Sequence, residues 1–375
     1  MKSNSDSSAA FGDNTFFIAL TVAILFVGVG AGFLYWRYMP SKVDYAKVYE
    51  SLGISPLPSS IETLPQIQRR LDQLNREACY RDAIADLAED LIKVGYPREA
   101  ATSLRSFVKR CKNSEDLLRI AHTALEIISD YQGALEVADQ LVEAYPANGT
   151  FRYWRAMAYE HIGDFPHALI DYMNTIQLAN DPRRLVGDVF YSTSRMYAEL
   201  GRYCDAITPM ETYISLDPAD RRTPKTTKII AEYAAKGNCD TGYASGSARI
   251  PIPGQSNVHF LRVIVNSESG NFILDTGATF VAVTPQFASK ARIDTEPGHQ
   301  IIVKTVGGTA LADVGSAGKI AVGKAEASGV VVAVHRGSAK PFGDGVDGLL
   351  GMSFLARFQL NISPTVIELI PIPLR

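Results

Sequence analysis

The segment FILDTGA, residues 272–278, carries an acidic residue at the end of an apolar stretch. The apolar residues before Asp275 predict a strand, because short apolar runs bounded by glycine are typical of buried strands. Gly277 lets the backbone approach a facing loop closely, since glycine has no Cβ. Thr276 can place its hydroxyl group on the backbone of an opposite loop. We therefore expect Asp275 to lie in a turn at the end of a buried strand.

Short runs rich in β-branched residues surround this segment. They read VHFLRVIV, GNFILDTGA, HQIIVKTVGG, GKIAVG, GVVVAVH and FQLNISPTVIELIPI. Six or more short strands separated by turn signals predict an all-β domain, either a barrel or a sandwich-like fold. We assign residues 249–375 to this domain and residues 240–248, which are small and polar, to a linker before it.

Two other segments accompany the acidic one in a fixed order. Residues 305–309 read TVGGT, and residues 347–352 read DGLLGM. Together with LDTGA at 274–278, they resemble the motifs of the retropepsin-like aspartic peptidases. In that family a glycine-bearing flap follows the active-site loop, and an apolar-apolar-Gly strand then passes beneath the loop. The resemblance covers about a third of the chain, and three motifs in order are far more specific than a lone Asp-Thr-Gly.

The resemblance implies an endopeptidase that uses water and needs neither a metal nor a cofactor. It assigns catalysis to Asp275, support of the active-site loop to Thr276, Gly277 and Ala278, the flap and substrate binding to Val306, Gly307 and Gly308, and the threading strand to Gly348, Leu349, Leu350 and Gly351. The substrate is expected to lie extended under the flap as an added strand. Ala278, Val306 and the strand from Val330 to Val334 are expected to line its side-chain pockets. The six histidines show no metal-binding spacing.

This chemistry needs two carboxylates that share one proton, so a second acid must be found. Asp240-Thr241-Gly242 repeats the tripeptide, but no apolar strand precedes it and only 35 residues separate it from Asp275. Asp313 is expected at the foot of the flap hairpin, and Asp344 and Asp347 in a glycine-rich turn. The second carboxylate is therefore expected to be Asp275 of another copy, across a two-fold axis. The active enzyme is predicted to be a homodimer.

Residues 77–239 are predicted to form helical repeats. Gly95, Ser129, Gly163 and Gly201 mark the turns of four units, at spacings of 34, 34 and 38 residues. A small residue follows each turn by five places, namely Ala100, Ala134, Ala168 and Ala206. This helix–turn–helix period resembles the tetratricopeptide repeat, and a helix after the fourth unit would cap the stack. An irregular helical bundle is the alternative interpretation.

The four cysteines are placed for two disulfides. Cys79 precedes the first helix of the first repeat and Cys111 ends its second helix, so both lie at one end of an antiparallel pair. Cys204 and Cys239 have the same relation across the fourth repeat and the capping helix. We therefore expect each pair to be able to meet the Cα separation that a disulfide requires. Disulfides indicate an oxidising compartment, whereas reduced thiols are the alternative.

The N-terminal region is predicted to anchor the chain in a bilayer. Phe16–Trp36 contains 21 residues without a charge, so we assign residues 1–14 to a tail, 15–36 to a transmembrane helix and 37–76 to a linker with short helices. A cleavable signal peptide is the alternative, although the aromatic end at Trp36 favours an anchor. The net charge of −3 and pI near 6.1 give no field that would attract nucleic acid.

The arrangement resembles bacterial periplasmic aspartic proteases that are anchored in the inner membrane and carry tetratricopeptide repeats. Lysines and arginines after the predicted span favour a cytoplasmic location, but we give the paired cysteines more weight. The repeats are expected to recruit the protein substrate or a regulator through their concave surface. The alternative function is a membrane-tethered peptide-binding scaffold whose protease-like domain is inactive.

Overall fold

The computed structural model describes residues 43–112, 114–239, 243–252, 258–305, 308–337 and 340–373. The predicted tail, membrane helix, second Asp-Thr-Gly and flap residues Val306 and Gly307 lie outside these ranges. Within them, no helix combines the length and apolar character needed to cross a bilayer.

Three helices precede the repeats, namely α1 (Ala46–Leu52), α2 (Ser59–Glu62) and α3 (Pro65–Arg76). The sequence predicts short helices here, within a linker. The structure adds that α3 has twelve residues and buries its apolar stripe, including Ile67 and Leu71. Leu52 of α1 joins the same core as the first repeats. The described part of the expected linker therefore packs as a part of the helical domain.

Eight helices form the four predicted helix pairs. They are α4 (Arg81–Lys93), α5 (Pro97–Arg110), α6 (Glu115–Ile127), α7 (Tyr131–Ala144), α8 (Gly149–Ile162), α9 (Phe165–Leu178), α10 (Gly187–Glu199) and α11 (Tyr203–Leu216). The turn residues Gly95, Ser129, Gly163 and Gly201 all have positive φ, at 88°, 55°, 84° and 74°. The alanines five places later are each at most 1% exposed. The period read from the sequence is therefore the period of the structure.

A short helix and a capping helix end the helical domain. They are α12 (Pro218–Arg221) and α13 (Pro224–Gly237), and Thr223 forms a capping box at the start of α13. The two disulfides join Cys79 to Cys111 and Cys204 to Cys239, each with a Cα separation of 5.6 Å. Both pairs are those expected from the sequence. They fasten the first helix pair at one end of the domain and the cap at the other.

The C-terminal domain contains ten strands and two short helices in the described ranges. They are β1 (Ala248–Pro251), β2 (Phe260–Val265), β3 (Glu268–Leu274), β4 (Val281–Val283), α14 (Pro285–Lys290), β5 (Asp294–Thr305), β6 (Gly308–Val322), β7 (Ala325–His335), β8 (Gly348–Leu350), α15 (Met352–Leu355), β9 (Phe358–Ile362) and β10 (Val366–Pro371). Seven strands form one sheet in the order β2-β3-β8-β4-β7-β6-β5, and β2 also pairs with β6. The sheet therefore closes on itself, as the barrel expectation requires. A second sheet has the order β1-β10-β9.

The β5–β6 hairpin is longer than the sequence pattern predicts. HQIIVKTVGG and GKIAVG are expected to contribute separate short strands, but β6 runs without a break for 15 residues. Gly315 lies inside this strand, at a position where a Cβ would stand 2.6 Å from the carbonyl oxygen of Asp294. This glycine allows the paired backbones to approach and is not a turn signal. Strand β6 therefore continues through Gly315 into the segment GKIAVG.

The repeats and the β-domain share a packed interface. Tyr172 and Tyr197 of the repeats lie in one apolar cluster with Ile301 and Val303 of β5. Arg357 of the β-domain is 1% exposed and donates to the Thr208 hydroxyl of the fourth repeat at 3.5 Å, as well as to the carbonyl oxygens of Ser353, Tyr243, Ser328 and Gly329. Its guanidinium group lies 4.4 Å from the ring centroid of Tyr243. The third and fourth repeats are therefore held against the hairpin.

Candidate active site

Asp275 lies directly after β3, where the chain turns away from the sheet. Its backbone N–H donates to the Leu350 carbonyl oxygen at 3.1 Å. Its carboxylate oxygen Oδ1 accepts from the backbone N–H groups of Gly277 at 2.9 Å and Ala278 at 3.2 Å. The side chain is half-buried, whereas Thr276 and Gly277 are exposed. The loop therefore fixes one carboxylate oxygen and leaves this side of the turn open to solvent or a partner.

The segment Gly348–Gly351 passes under this loop. Strand β8 lies between β3 and β4, parallel to the first and antiparallel to the second. A Cβ on Gly351 would stand 2.1 Å from the Phe280 carbonyl oxygen, and one on Gly348 would stand 2.3 Å from that of Ala282. Only glycine fits at either position. The close crossing positions the Asp275 loop on a rigid floor.

The turn after Gly351 is tied to the active-site loop from the other side. The backbone N–H of Met352 donates to the Ala278 carbonyl oxygen at 2.8 Å, and that of Ser353 donates to Thr279 at 3.0 Å. The Ser353 hydroxyl accepts from Val281 N–H and donates to the Val331 carbonyl oxygen. The loop that holds Asp275 is therefore attached by backbone hydrogen bonds on both sides.

The other candidate acids make local structural contacts. Asp347 accepts the Asn271 N–H at 2.8 Å and so braces β3 against β8. Asp344 pairs with Lys340, and Asp313 pairs with Arg336 at 3.0 Å. Asp313 lies where β6 begins to pair with β7, which is the foot of the hairpin. These positions agree with the expectation that Asp313 lies at the foot of the hairpin and that Asp344 and Asp347 lie in a turn.

A cavity of about 270 Å³ lies between Asp275 and the β5–β6 hairpin. The β-domain contributes Ala278 of the loop, Val303 of β5, Ala333 and His335 of β7, and Leu349 of β8. Among the described residues that line it, Asp275 is the only carboxylate. The monomer thus supplies a single acid to this cavity.

The expected pocket residues are only partly placed there. Ala278 lines the cavity, and Val306 lies outside the described ranges. On β7, Ala333 faces the cavity, whereas Val330, Val332 and Val334 point into the barrel core. Successive side chains of a strand point to opposite faces, so the whole segment could not line one pocket. The expectation for Val330 to Val334 is therefore wrong except at Ala333.

Of the flap expected at residues 305–309, the described residues belong to the β5–β6 hairpin. Thr305 and Gly308 are the last register partners of this strand pair, and Gly308 has a φ of 124°. Glycine is favoured at this backbone angle. Val306 and Gly307 lie outside the described ranges, so their predicted contact with substrate stays a prediction.

The sequence did not predict that the repeats would line this cavity. Ile176, Gln177, Ala179, Asn180 and Pro182, at and after the end of α9, complete its wall. The Ile302 N–H of β5 donates to Asn174 Oδ1 at 2.7 Å, and Lys304 donates to the Ala179 carbonyl oxygen at 2.9 Å. No motif marks these residues, because their position depends on how the two domains dock.

The described residues contain no group of three or more His, Cys, Asp or Glu side chains that could hold a metal ion. Burial lowers the pKa of His335, a backbone hydrogen bond with Arg336 partly opposes this, and the Phe342 ring packs against the imidazole in a T-shaped pair with centroids 5.9 Å apart. A neutral imidazole can donate one hydrogen bond and accept another. The described residues of the cavity therefore combine one carboxylate and the Lys304 ammonium with uncharged polar and apolar groups.

Comparisons with known proteins agree with this division. Residues 261–354 match the aspartyl protease family and residues 128–184 match the tetratricopeptide repeat family. No curated protein matches the chain. Among solved structures, a retropepsin-like aspartic protease from Rickettsia conorii is similar at 24% identity, covering 33% of this chain and 91% of its own, with a TM-score of 0.26.

Two MamA structures are similar to the helical part. One is 18% identical and covers 42% of this chain and 90% of its own, with a TM-score of 0.36. MamA from Desulfovibrio magneticus RS-1 is 20% identical and covers 42% and 85%, with a TM-score of 0.35. By the two family matches, a tetratricopeptide-repeat segment precedes an aspartyl protease-like domain in this chain.

Proposed function

We propose that this chain, in which tetratricopeptide repeats precede a retropepsin-like domain, is an aspartic endopeptidase that works as a homodimer. The observation that carries the proposal is the placement of Asp275. Its carboxylate accepts hydrogen bonds from two backbone N–H groups of its own loop, and that loop packs closely on Gly351. The carboxylate also borders a cavity under the long β5–β6 hairpin. It is also the one acid among the described residues of that cavity, so the missing acid comes from a second copy.

The reaction requires the two Asp275 carboxyl groups to share one proton, because two adjacent negative charges repel each other. The ionised group takes a proton from water as the water oxygen attacks the peptide carbonyl carbon. The protonated group gives its proton to the carbonyl oxygen. When the intermediate collapses, the C–N bond breaks and the nitrogen leaves with a proton from the pair. No metal or cofactor takes part in this scheme.

The open side of the loop supports a two-fold assembly. Thr276 and Gly277 are exposed and border a groove of about 1160 Å³ between the repeats and the C-terminal strands. The loop of a second copy would enter by this groove and bring its own Asp275 to the axis. In an isologous interface the same residues face each other, so Thr276 would contact the partner loop.

The cysteines support the proposed compartment. Both disulfides indicate an oxidising, non-cytoplasmic environment. With residues 15–36 as a membrane anchor, we place the repeats and protease domain on the periplasmic side of a bacterial inner membrane. The substrate would be an extended segment of a membrane or periplasmic protein, recruited by the repeats, which also offer a surface for a regulator.

The decisive experiment compares the full-length chain with its Asp275→Asn variant on a peptide mixture and on the membrane proteome of producing cells. We expect the variant to lose on the order of 10⁴-fold in cleavage rate, because the shared proton needs two carboxyl groups. Asp344→Asn is the matched control, since Asp344 is an exposed acid that pairs with Lys340.

The control should cleave at the wild-type rate, and both variants should keep the wild-type circular dichroism. New protein termini that appear equally in cells producing the wild-type chain and in cells producing Asp275→Asn would refute the proposal. A cellular phenotype that Asp275→Asn leaves intact, without any cleavage, would favour the scaffold function instead.

A further inference from the structure

Strand β5 forms one end of the seven-stranded sheet, and the repeats cover its outer edge. Among the described strands, β5 pairs with β6 alone. The Ile302 N–H points away from β6, because it donates to Asn174 Oδ1 of α9 at 2.7 Å. The main-chain groups of Lys304 lie along the same edge, since the pattern of an antiparallel pair repeats every two residues. A helix therefore lies where a further strand could add to the sheet.

Three polar attachments hold the repeats along this edge. Arg202, in the turn before α11, donates to the Glu296 carboxylate at 2.8 Å. The Lys304 ammonium donates to the Ala179 carbonyl oxygen at 2.9 Å, where the chain leaves α9. The hydrogen bond from Asn174 lies between them. An apolar cluster packs beside these contacts, so the helical domain follows β5 over most of its length.

The covered edge is also the edge that a substrate needs. Val303 and Lys304 line the cavity that contains Asp275, so a peptide in this cavity lies beside β5. An extended peptide that adds to a sheet exchanges main-chain hydrogen bonds with a free strand edge. Here a side chain of α9 already accepts the Ile302 N–H. A peptide that continues along β5 from the cut therefore meets α9.

A two-fold dimer closes the cleft in this way at both ends. The two copies are equivalent, so the third repeat of each copy covers the edge of its own β5. A segment inside a protein chain must leave the cleft on both sides of the cut. A short peptide, in contrast, ends before it reaches either helix. The docked arrangement therefore admits short peptides and excludes a longer extended segment.

We propose that the third repeat, docked on β5 through α9, is an autoinhibitory element that separates from the hairpin before a protein segment binds. This inference rests on the proposed peptidase function and adds its regulation. The attachments suit a reversible contact, because single hydrogen bonds and partly exposed ion pairs each contribute little net free energy. A ligand that binds the released repeats more tightly than the docked ones shifts the population toward the open enzyme.

The test uses the purified full-length chain and two peptides that contain the same cut, which is first located in a mixture of short peptides. One peptide extends about three residues on each side of the cut, and the other about eight, which is roughly 26 Å on each side when extended. Asn174→Ala and Glu296→Gln each remove one attachment of β5. Gln140→Ala is the matched control, since Gln140 is exposed at the equivalent position of α7. Rates are corrected for the rate of Asp275→Asn.

We expect the ratio of kcat/KM for the long peptide over the short peptide to rise about tenfold in Asn174→Ala, the factor that a loss of about 1.4 kcal/mol in the docked state produces. Glu296→Gln should raise the ratio about threefold, because its ion pair is partly exposed. The double variant should combine the two effects. Gln140→Ala should keep the wild-type ratio, and all these chains should cleave the short peptide at similar rates.

Autoinhibition is overturned if Asn174→Ala and Glu296→Gln both keep the wild-type ratio, which would make α9 a fixed cover of the sheet edge. It is equally overturned if both variants lose activity on the two peptides to the same extent, because that result would indicate damage to the fold without release of the cleft. Absence of Asp275-dependent cleavage in every chain is a different result, since it removes the proposed function and its regulation with it.

Discussion

The second and third repeats share a backbone plan but differ along their second helices. Helices α7 and α9 each have 14 residues and start two positions after a turn residue with positive φ. Eight positions after the turn, α7 has Val137 and α9 has Asp171, both buried. Eleven positions after it, Gln140 is exposed whereas Asn174 is 0% exposed. Equivalent positions of the repeat therefore carry an apolar or an exposed side chain in the second repeat and buried polar side chains in the third.

The difference shows how a scaffold acquires a functional surface. Asp171 is tolerated in the interior because Arg152 donates to it at 2.8 Å and Arg155 donates two hydrogen bonds, at 2.6 and 3.0 Å. Asn174 is tolerated because the hairpin supplies the Ile302 N–H. Each departure from the repeat pattern is thus matched by a specific partner, as buried polar groups require. The partner of Asn174 belongs to the protease domain.

The largest effect is expected from Asp171→Asn. The substitution leaves the Arg152 guanidinium buried without its counter-charge, so the free energy of unfolding should fall by about 3–5 kcal/mol. Asp139→Asn is the control, because Asp139 also pairs with Arg155 but its side chain is 49% exposed, and it should cost less than about 1 kcal/mol. Urea unfolding followed by helical circular dichroism measures both. Equal losses of unfolding free energy in the two variants would show that Asp171 contributes no more than an acid in a surface ion pair.

Local patterns explain which features could be predicted. The turn at Gly163 and the alanine at 168 belong to one repeat, and DTGA and GLLG are short motifs whose glycines meet nearby backbone. The docking of α9 on β5 is different, because Asn174 and Gln177 have side chains that an exposed helix face would also carry. The burial of Asn174 comes from residues more than 100 positions away, such as Ile302. Sequence period alone carries no information on that contact.

The fourth repeat has Glu211 at the position where the third repeat has Met173. Burial raises the pKa of Glu211 to about 7, from its ordinary value of 4.5, and the nearby Arg222 only partly opposes this. A raised carboxyl pKa means that the folded state binds the proton more tightly than the unfolded state. Its contribution is therefore fully present below pH 4.5 and is lost as pH rises through about 7.

We expect Glu211→Gln to remove this loss. Between about pH 4.5 and 8 the wild-type chain should lose about 2–3 kcal/mol of stability that the variant keeps. Urea midpoints measured across this range provide the test. Glu232→Gln is the control, since Glu232 is 54% exposed beside Lys228 and should follow the wild-type profile. Parallel profiles for wild type and Glu211→Gln would mean that Glu211 titrates as an ordinary surface acid.

The smallest effect concerns the contact that separates the third repeat from the second. Asn174→Ala leaves the Ile302 N–H of the hairpin buried without an acceptor, which should cost about 1–2 kcal/mol. Gln140→Ala, at the equivalent exposed position of α7, should change stability by less than about 0.5 kcal/mol. Hydrogen exchange is the sharper measurement, because the Ile302 amide should exchange about tenfold faster only in Asn174→Ala. Unchanged exchange at Ile302 would show that pairing within the sheet alone protects this amide. The hydrogen bond from α9 would then add nothing to the stability of the hairpin.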